Sequence, residues 1–151
     1  MYIEQRFSTY FSGEEFFLND HVVQGQKVLP GVAYLEMARF AIKEASQTEE
    51  HRLIFKNIIW SVPIIVTKRH KPGIEISLYP ESETQISYEI TQSRAEGEIQ
   101  VHSQGLAYLN VKQDVGNTPN LAALQKSFKT EPFDKKALYE AFAQAGLEYG
   151  P

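Results

Sequence analysis

The run from Gly31 to Ser46 constrains this chain most, because it is a helix-forming segment that is apolar around most of its circumference. Val32, Leu35, Met37, Ala38, Phe40, Ala41 and Ile42 surround it, while Glu36, Arg39 and Lys43 share one narrow stripe. A surface helix carries a single apolar face, so this one is expected to be buried on several sides. Its neighbours can supply the walls. Ile74, Ile76 and Leu78 alternate with Glu75 and Ser77, and Ile86, Tyr88 and Ile90 alternate with Ser87 and Glu89. The stretch from Gly97 to Leu109 continues in the same style. This period of two, repeated between turn signals, predicts an antiparallel sheet.

The segment from Leu53 to Val66 is also strand-like, rich in Ile and Val with one Trp, and Pro63 implies an edge or a break. Phe7 to Phe11 and Phe16 to Leu18 read as short strands interrupted at Ser12-Gly13, and residues 19–30 read as a loop. Residues 115–120 form a linker, followed by a weak helix around Leu121 to Phe128. A clearer helix follows, with Asp134 as N-cap, Leu138, Phe142 and Ala145 on one face, and Gly146 as terminator. The expected fold class is α+β: an antiparallel sheet wrapped around one long helix, the hot-dog arrangement. Residues 1–110 would form that unit, and residues 111–151 a linker with a helix.

Composition narrows the function. A chain of 151 residues with 42% hydrophobic and 23% charged residues can bury a real core. Its net charge of −4 gives no general attraction to nucleic acid or anionic membrane, so neither is an expected partner. No apolar run approaches membrane length and the start does not read as a signal peptide, so a cytoplasmic protein is expected. The absence of cysteine excludes disulfides, thiolate catalysis and Cys-based metal sites. His21, His51, His70 and His102 show no close ligand spacing, so no metal is expected. The basic run Lys68-Arg69-His70-Lys71 reads as a solvated turn. Glu14-Glu15 and Glu49-Glu50 read as exposed charges, His102 as structural or surface, and Trp60 and Phe55 as core.

The chemistry concentrates between His21 and Gly31. Histidine is the side chain best suited to take and return a proton near neutral pH. A helix N-terminus adds unpaired N–H groups and the positive end of a dipole. Gly25 permits a tight backbone path, Pro30 stiffens the entry to the helix, and Gly31 lets a ligand carbonyl approach the first helical N–H groups. A base and an oxyanion site in one short stretch point to proton abstraction next to a carbonyl.

His21-x-x-x-Gly25-x-x-x-x-Pro30 resembles the HxxxGxxxxP signature of dehydratase domains in modular polyketide synthases. At the other end, Gly146-Leu147-Glu148-Tyr149-Gly150-Pro151 resembles that family's GYxYGP motif, with Leu147 at the first tyrosine position. The resemblance implies a double hot dog of which this chain is the N-terminal half. His21 would be the catalytic base, with Gly31, Val32 and Tyr149 contacting substrate. Gly25, Pro30, Gly150 and Pro151 would shape the motifs. It also implies water elimination from a 3-hydroxyacyl thioester to give a 2-enoyl thioester. The substrate would ride on the phosphopantetheine of an acyl carrier protein, with no diffusible cofactor.

The family's second catalytic residue is an aspartate in a DxxxQ-type motif beyond YGP. Asp20-His21-Val22-Val23-Gln24 matches that pattern formally, but neighbours in an extended segment point to opposite sides, so Asp20 is a poor partner acid. Asp114 and Asp134 fall in the linker and at a helix cap. The chain is therefore expected to be a truncated piece, inactive alone, with the second hot-dog half as its missing partner and a homodimer as a surrogate. The alternatives are a double-bond-shifting isomerase using the histidine alone, a hot-dog thioesterase, and a non-catalytic module that binds carrier protein or dimerises.

Overall fold

The computed structural model describes residues 4–46, 52–94, 97–110, 119–128 and 134–150. Glu49, Glu50, His51, Asp114, linker residues 115–118 and Pro151 lie outside them. The chain order is β1 (Gln5–Tyr10), α1 (Phe16–Asn19), β2 (His21–Val23), β3 (Gln26–Val28), α2 (Gly31–Ser46), β4 (Leu53–Trp60) and β5 (Ile65–Val66). Then follow β6 (Gly73–Pro80), β7 (Gln85–Ser93), β8 (Ile99–Leu109), α3 (Leu121–Ser127), α4 (Lys135–Gln144) and β9 (Leu147–Tyr149).

Two antiparallel sheets result. The larger has strand order β1-β6-β7-β8-β4 and the smaller β5-β3-β2-β9. In the larger sheet the alternation seen in the sequence becomes a register: Ile76 faces Ile90, Leu78 faces Tyr88, and Ile86 faces Ala107. These residues are buried and form one apolar face. Helix α2 lies on it through Tyr34, Ala38, Ala41 and Ile42. The two alanines let the helix backbone approach closely. This is the hot-dog arrangement expected from the sequence.

Four local readings change. Residues 16–18 are helical, not extended, and Leu18 plugs the core. The Glu15 carboxylate accepts from the Ser12 and Gly13 N–H groups and the Ser12 hydroxyl, which closes the preceding turn and starts a helical one. Residues 21–28, read as loop, form the β2–β3 hairpin. Its two-residue turn, Gln24-Gly25, has positive φ at both positions (49° and 74°), the type I′ geometry that glycine favours. Helix α2 is covered on one side only among the described residues: Val32 is 73% and Phe40 55% exposed, beside Glu36 and Arg39. Trp60 is not core but 49% exposed, because β4 is the edge strand of its sheet.

Pro63 does mark a break. Residues 61–64 cross from β4 in the large sheet to β5 in the small one. Asn120 and Asp134 cap α3 and α4 by accepting from the N–H groups of Ala123 and Lys136. The basic run is a turn before β6, closed by a Thr67 N–H to His70 carbonyl bond.

Candidate active site

The small sheet brings residues 21–23 against residues 147–149, near the end of the described chain. β9 pairs antiparallel with β2, setting His21 opposite Tyr149, Val22 opposite Glu148 and Val23 opposite Leu147. The ladder continues at both ends: the Gln24 N–H donates to the Gly146 carbonyl (2.7 Å) and the Gly150 N–H to the Asp20 carbonyl (3.1 Å). The two sequence motifs are thus adjacent strands of one ribbon. Residues 147–149 form the edge strand of the smaller sheet.

This pairing explains individual residues. The Tyr149 ring stacks on the His21 imidazole, with centroids 5.6 Å apart and planes inclined by 27°. Phe142 from α4 meets Tyr149 edge-on at 5.4 Å, so α4 braces the stack from behind. Gly150 lies against Asp20, and a Cβ there would overlap the Asp20 carboxyl group. Asp20 and Gly150 occupy the position next to His21 and Tyr149, where Asp20 ends α1 with a non-extended backbone (φ −94°, ψ 9°). The expectation that Asp20 lies in an extended segment is therefore not met, and its carboxyl group packs at Gly150.

His21 is half-buried, and its Nδ1 lies 2.8 Å from the Val28 carbonyl oxygen across the hairpin. A carbonyl only accepts, so Nδ1 carries the proton of the neutral ring and Nε2 is left with its lone pair. No carboxylate is a hydrogen-bond partner of the ring among the described residues. Past Val28, the Leu29 N–H donates to the Ile64 carbonyl at 2.9 Å. Pro30 follows, and its carbonyl accepts from the Ala33 N–H at 2.9 Å. Gly31 and Val32 therefore contribute the first two N–H groups of α2, which have no preceding turn to bond. An apolar cavity of about 440 Å³ opens beside them, lined by Phe11, Phe17, Leu29, Val32 and Met37 among others.

A larger cleft of about 510 Å³ runs along Ser12–Glu14, Gly25–Lys27 and Val66–Lys68. Its lining is mixed, with Lys27, Thr67 and Lys68 beside Gly13 and Val66, and it meets the expected site only at Gly25. Lys27 at its edge donates to the Gly13 carbonyl (2.6 Å) and to Asn19 Oδ1, tying the hairpin to the α1 turn. His102 is structural and buried rather than on the surface. Its Nδ1 is 2.9 Å from the Val62 carbonyl, Nε2 is 3.3 Å from the Gln92 side chain, and burial pushes its pKa down. Among the described residues no cluster of three or more His, Asp or Glu could hold a metal, and no helix is long and apolar enough to cross a membrane.

Residues 3–93 match the family model of the polyketide synthase dehydratase domain. The chain belongs to that family. It is 41% identical to polyketide synthase PksM of Bacillus subtilis over 154 residues, covering 99% of this chain and 4% of that protein. It is likewise 41% identical to PksN of the same organism, covering 98% of this chain and 3% of that protein. Among solved structures, it resembles a trans-AT PKS dehydratase domain from Brevibacillus brevis with a TM-score of 0.87 and 42% identity. That match covers 98% of this chain and 56% of the other. The chain thus spans a few per cent of the synthases it matches and about half of the solved dehydratase.

Three features of this dehydratase-family chain escaped sequence reasoning: the Val28 carbonyl that sets the His21 tautomer, the Tyr149 ring as its stacking partner, and the attachment of Leu29 to Ile64. The first was within reach, since Gln24-Gly25 between short apolar runs is a hairpin signal. The other two depend on residues distant in sequence.

Proposed function

We propose that this chain is the histidine-bearing half of a dehydratase that eliminates water from a 3-hydroxyacyl thioester. The observation that carries the reading is the Val28 carbonyl on His21 Nδ1, which presents the opposite nitrogen as a base. His21 Nε2 takes the proton at C2 of the acyl chain. The C–H electron pair moves towards the thioester carbonyl, whose developing negative oxygen is held by the N–H groups of Gly31 and Val32. The enolate then expels the C3 hydroxyl as an acid protonates it, giving water and a 2-enoyl thioester. The apolar cavity beside the helix start accepts the acyl chain and excludes water. Tyr149 keeps the imidazole plane in place and borders the substrate. Proton transfers alone balance the reaction, so it needs no diffusible cofactor.

The acid is assigned to the second half of the dehydratase domain, since the Asp20 carboxyl packs against Gly150 and Asp134 caps α4. That half would cover the outward apolar residues Val32, Phe40, Ile59 and Trp60. The substrate would arrive on the phosphopantetheine arm of an acyl carrier protein. Family membership favours this reading over an isomerase, a thioesterase or a non-catalytic module.

The test is mass spectrometry of a 3-hydroxyacyl pantetheine thioester incubated with a complete dehydratase domain carrying this chain as its first half. Water loss is expected, reduced about 10²–10⁴-fold by His21→Ala. Undiminished water loss in that variant would overturn the assignment.

A further inference from the structure

We propose that Tyr34 is a positioning residue for His21, acting through Ile64 and the peptide unit that joins Val28 to Leu29. The inference rests on the role of His21 proposed above. It starts from the crossover at 61–64, which does more than connect two sheets. The Ile64 N–H donates to the Tyr34 hydroxyl at 2.8 Å, and the Ile64 carbonyl accepts from the Leu29 N–H at 2.9 Å. Tyr34 and Ile64 are 2% and 1% exposed, so water cannot replace either bond.

The Leu29 N–H and the Val28 carbonyl are the two ends of one planar peptide unit. Fixing the first end fixes the direction of the second, and the second is the acceptor for His21 Nδ1–H. Tyr34 therefore acts on His21 by position: its bond fixes where Ile64 sits, and the Ile64 carbonyl in turn fixes the 28–29 peptide that holds the imidazole. Tyr34 sits one turn into α2. The helix whose first N–H groups would bind the thioester oxygen therefore also sets the aim of the base.

The crossover is strapped from its other side as well. The Ser61 N–H donates to the His102 carbonyl, and the His102 ring donates back to the Val62 carbonyl, both at 2.9 Å. Trp60 closes the frame by donating its indole N–H to the Gly31 carbonyl at 3.1 Å. The crossover consequently has two arms. Ile64 holds the base, and Trp60 holds the start of α2.

The experiment is Tyr34→Phe in the complete domain, with kinetics and ¹⁵N spectra of histidine-labelled protein. The ¹⁵N shifts report the tautomer of His21 whether or not turnover occurs, so this test remains readable if the proposed activity fails. The expected result is a cooperative unfolding transition, a kcat lower by about 10–100-fold with little change in KM, and His21 shifts moving from the Nδ1–H tautomer towards a mixture. Trp60→Phe should lower kcat while leaving the His21 tautomer unchanged. Should Tyr34→Phe not fold, 3,5-difluorotyrosine at position 34 keeps the shape, weakens the acceptor, and should move the same shifts by less. A folded Tyr34→Phe or fluorinated protein with the wild-type tautomer would overturn the proposal.

Discussion

The two sheets of this chain are built on opposite terms. The five-stranded sheet has strands of 6 to 11 residues, neighbouring registers and a continuous apolar face under α2. The four-stranded sheet has strands of two or three residues, and its half-buried His21 faces a strand from the far end of the chain. The first is stabilised by burying side chains. The second holds its shape by backbone ladders, one aromatic stack and the crossover. Stability and the proposed chemistry therefore fall in different parts of the molecule, and substitutions should separate them.

The largest expected effect is on chemistry alone. His21→Ala should abolish most water loss while shifting the unfolding free energy by less than about 1 kcal/mol, as at other incompletely buried positions. A large loss of stability in urea titration would mean that the small sheet also supports the core. Leu78→Ala tests the converse. Leu78, on β6, is fully buried in the core, and its truncation should cost about 2–5 kcal/mol, read as a lower denaturant midpoint. Turnover per folded molecule, measured at low temperature, should be retained.

Gly150→Ala probes the seam between the two. A methyl group there meets the Asp20 carboxyl group and its Cβ, which side-chain rotation cannot move, so β9 must shift or detach from β2. The expected cost is about 1–3 kcal/mol, with lower activity as Tyr149 leaves the imidazole. Retained stacking, seen as unchanged His21 ring shifts, would show that the ribbon tolerates the clash.

The smallest effect is a pH dependence of the crossover. Burial lowers the pKa of His102 in the folded chain, so on acidification the unfolded chain takes up a proton first. Stability is then full above the ordinary histidine value of about 6.5 and declines as pH falls through the lower folded value. Denaturant midpoints should drop between pH 7.5 and 5, and His102→Gln should flatten that slope. An unchanged slope in the variant would assign the effect to other groups.

Local sequence was sufficient wherever the deciding interactions lie within a few residues. The alternation of Ile74 to Leu78 and Ile86 to Ile90, the cap at Asp134 and the break at Pro63 all read correctly because period, capping and ring geometry are near-neighbour effects. The His21 and Tyr149 motifs stood out by spacing, although nothing local shows that they pair. Short aromatic stretches were ambiguous for the opposite reason. Phe16 to Leu18 has no period long enough to choose between strand and helix, and the Glu15 carboxylate settled it.

Burial direction was the least legible property. An apolar circumference says that α2 seeks cover, but Val32 and Phe40 face outward because the large sheet reaches only one side of it. Trp60 is as apolar as any core residue, yet the strand order leaves it at an edge. Residue types and their spacing specify the elements, the helix entry and the presence of a histidine able to act as a base. Which nitrogen of that histidine is free depends on a carbonyl across a hairpin, a crossover strand and a buried hydroxyl. Those partners meet through backbone groups, which every residue carries alike, so no pattern of side chains records them before the chain folds.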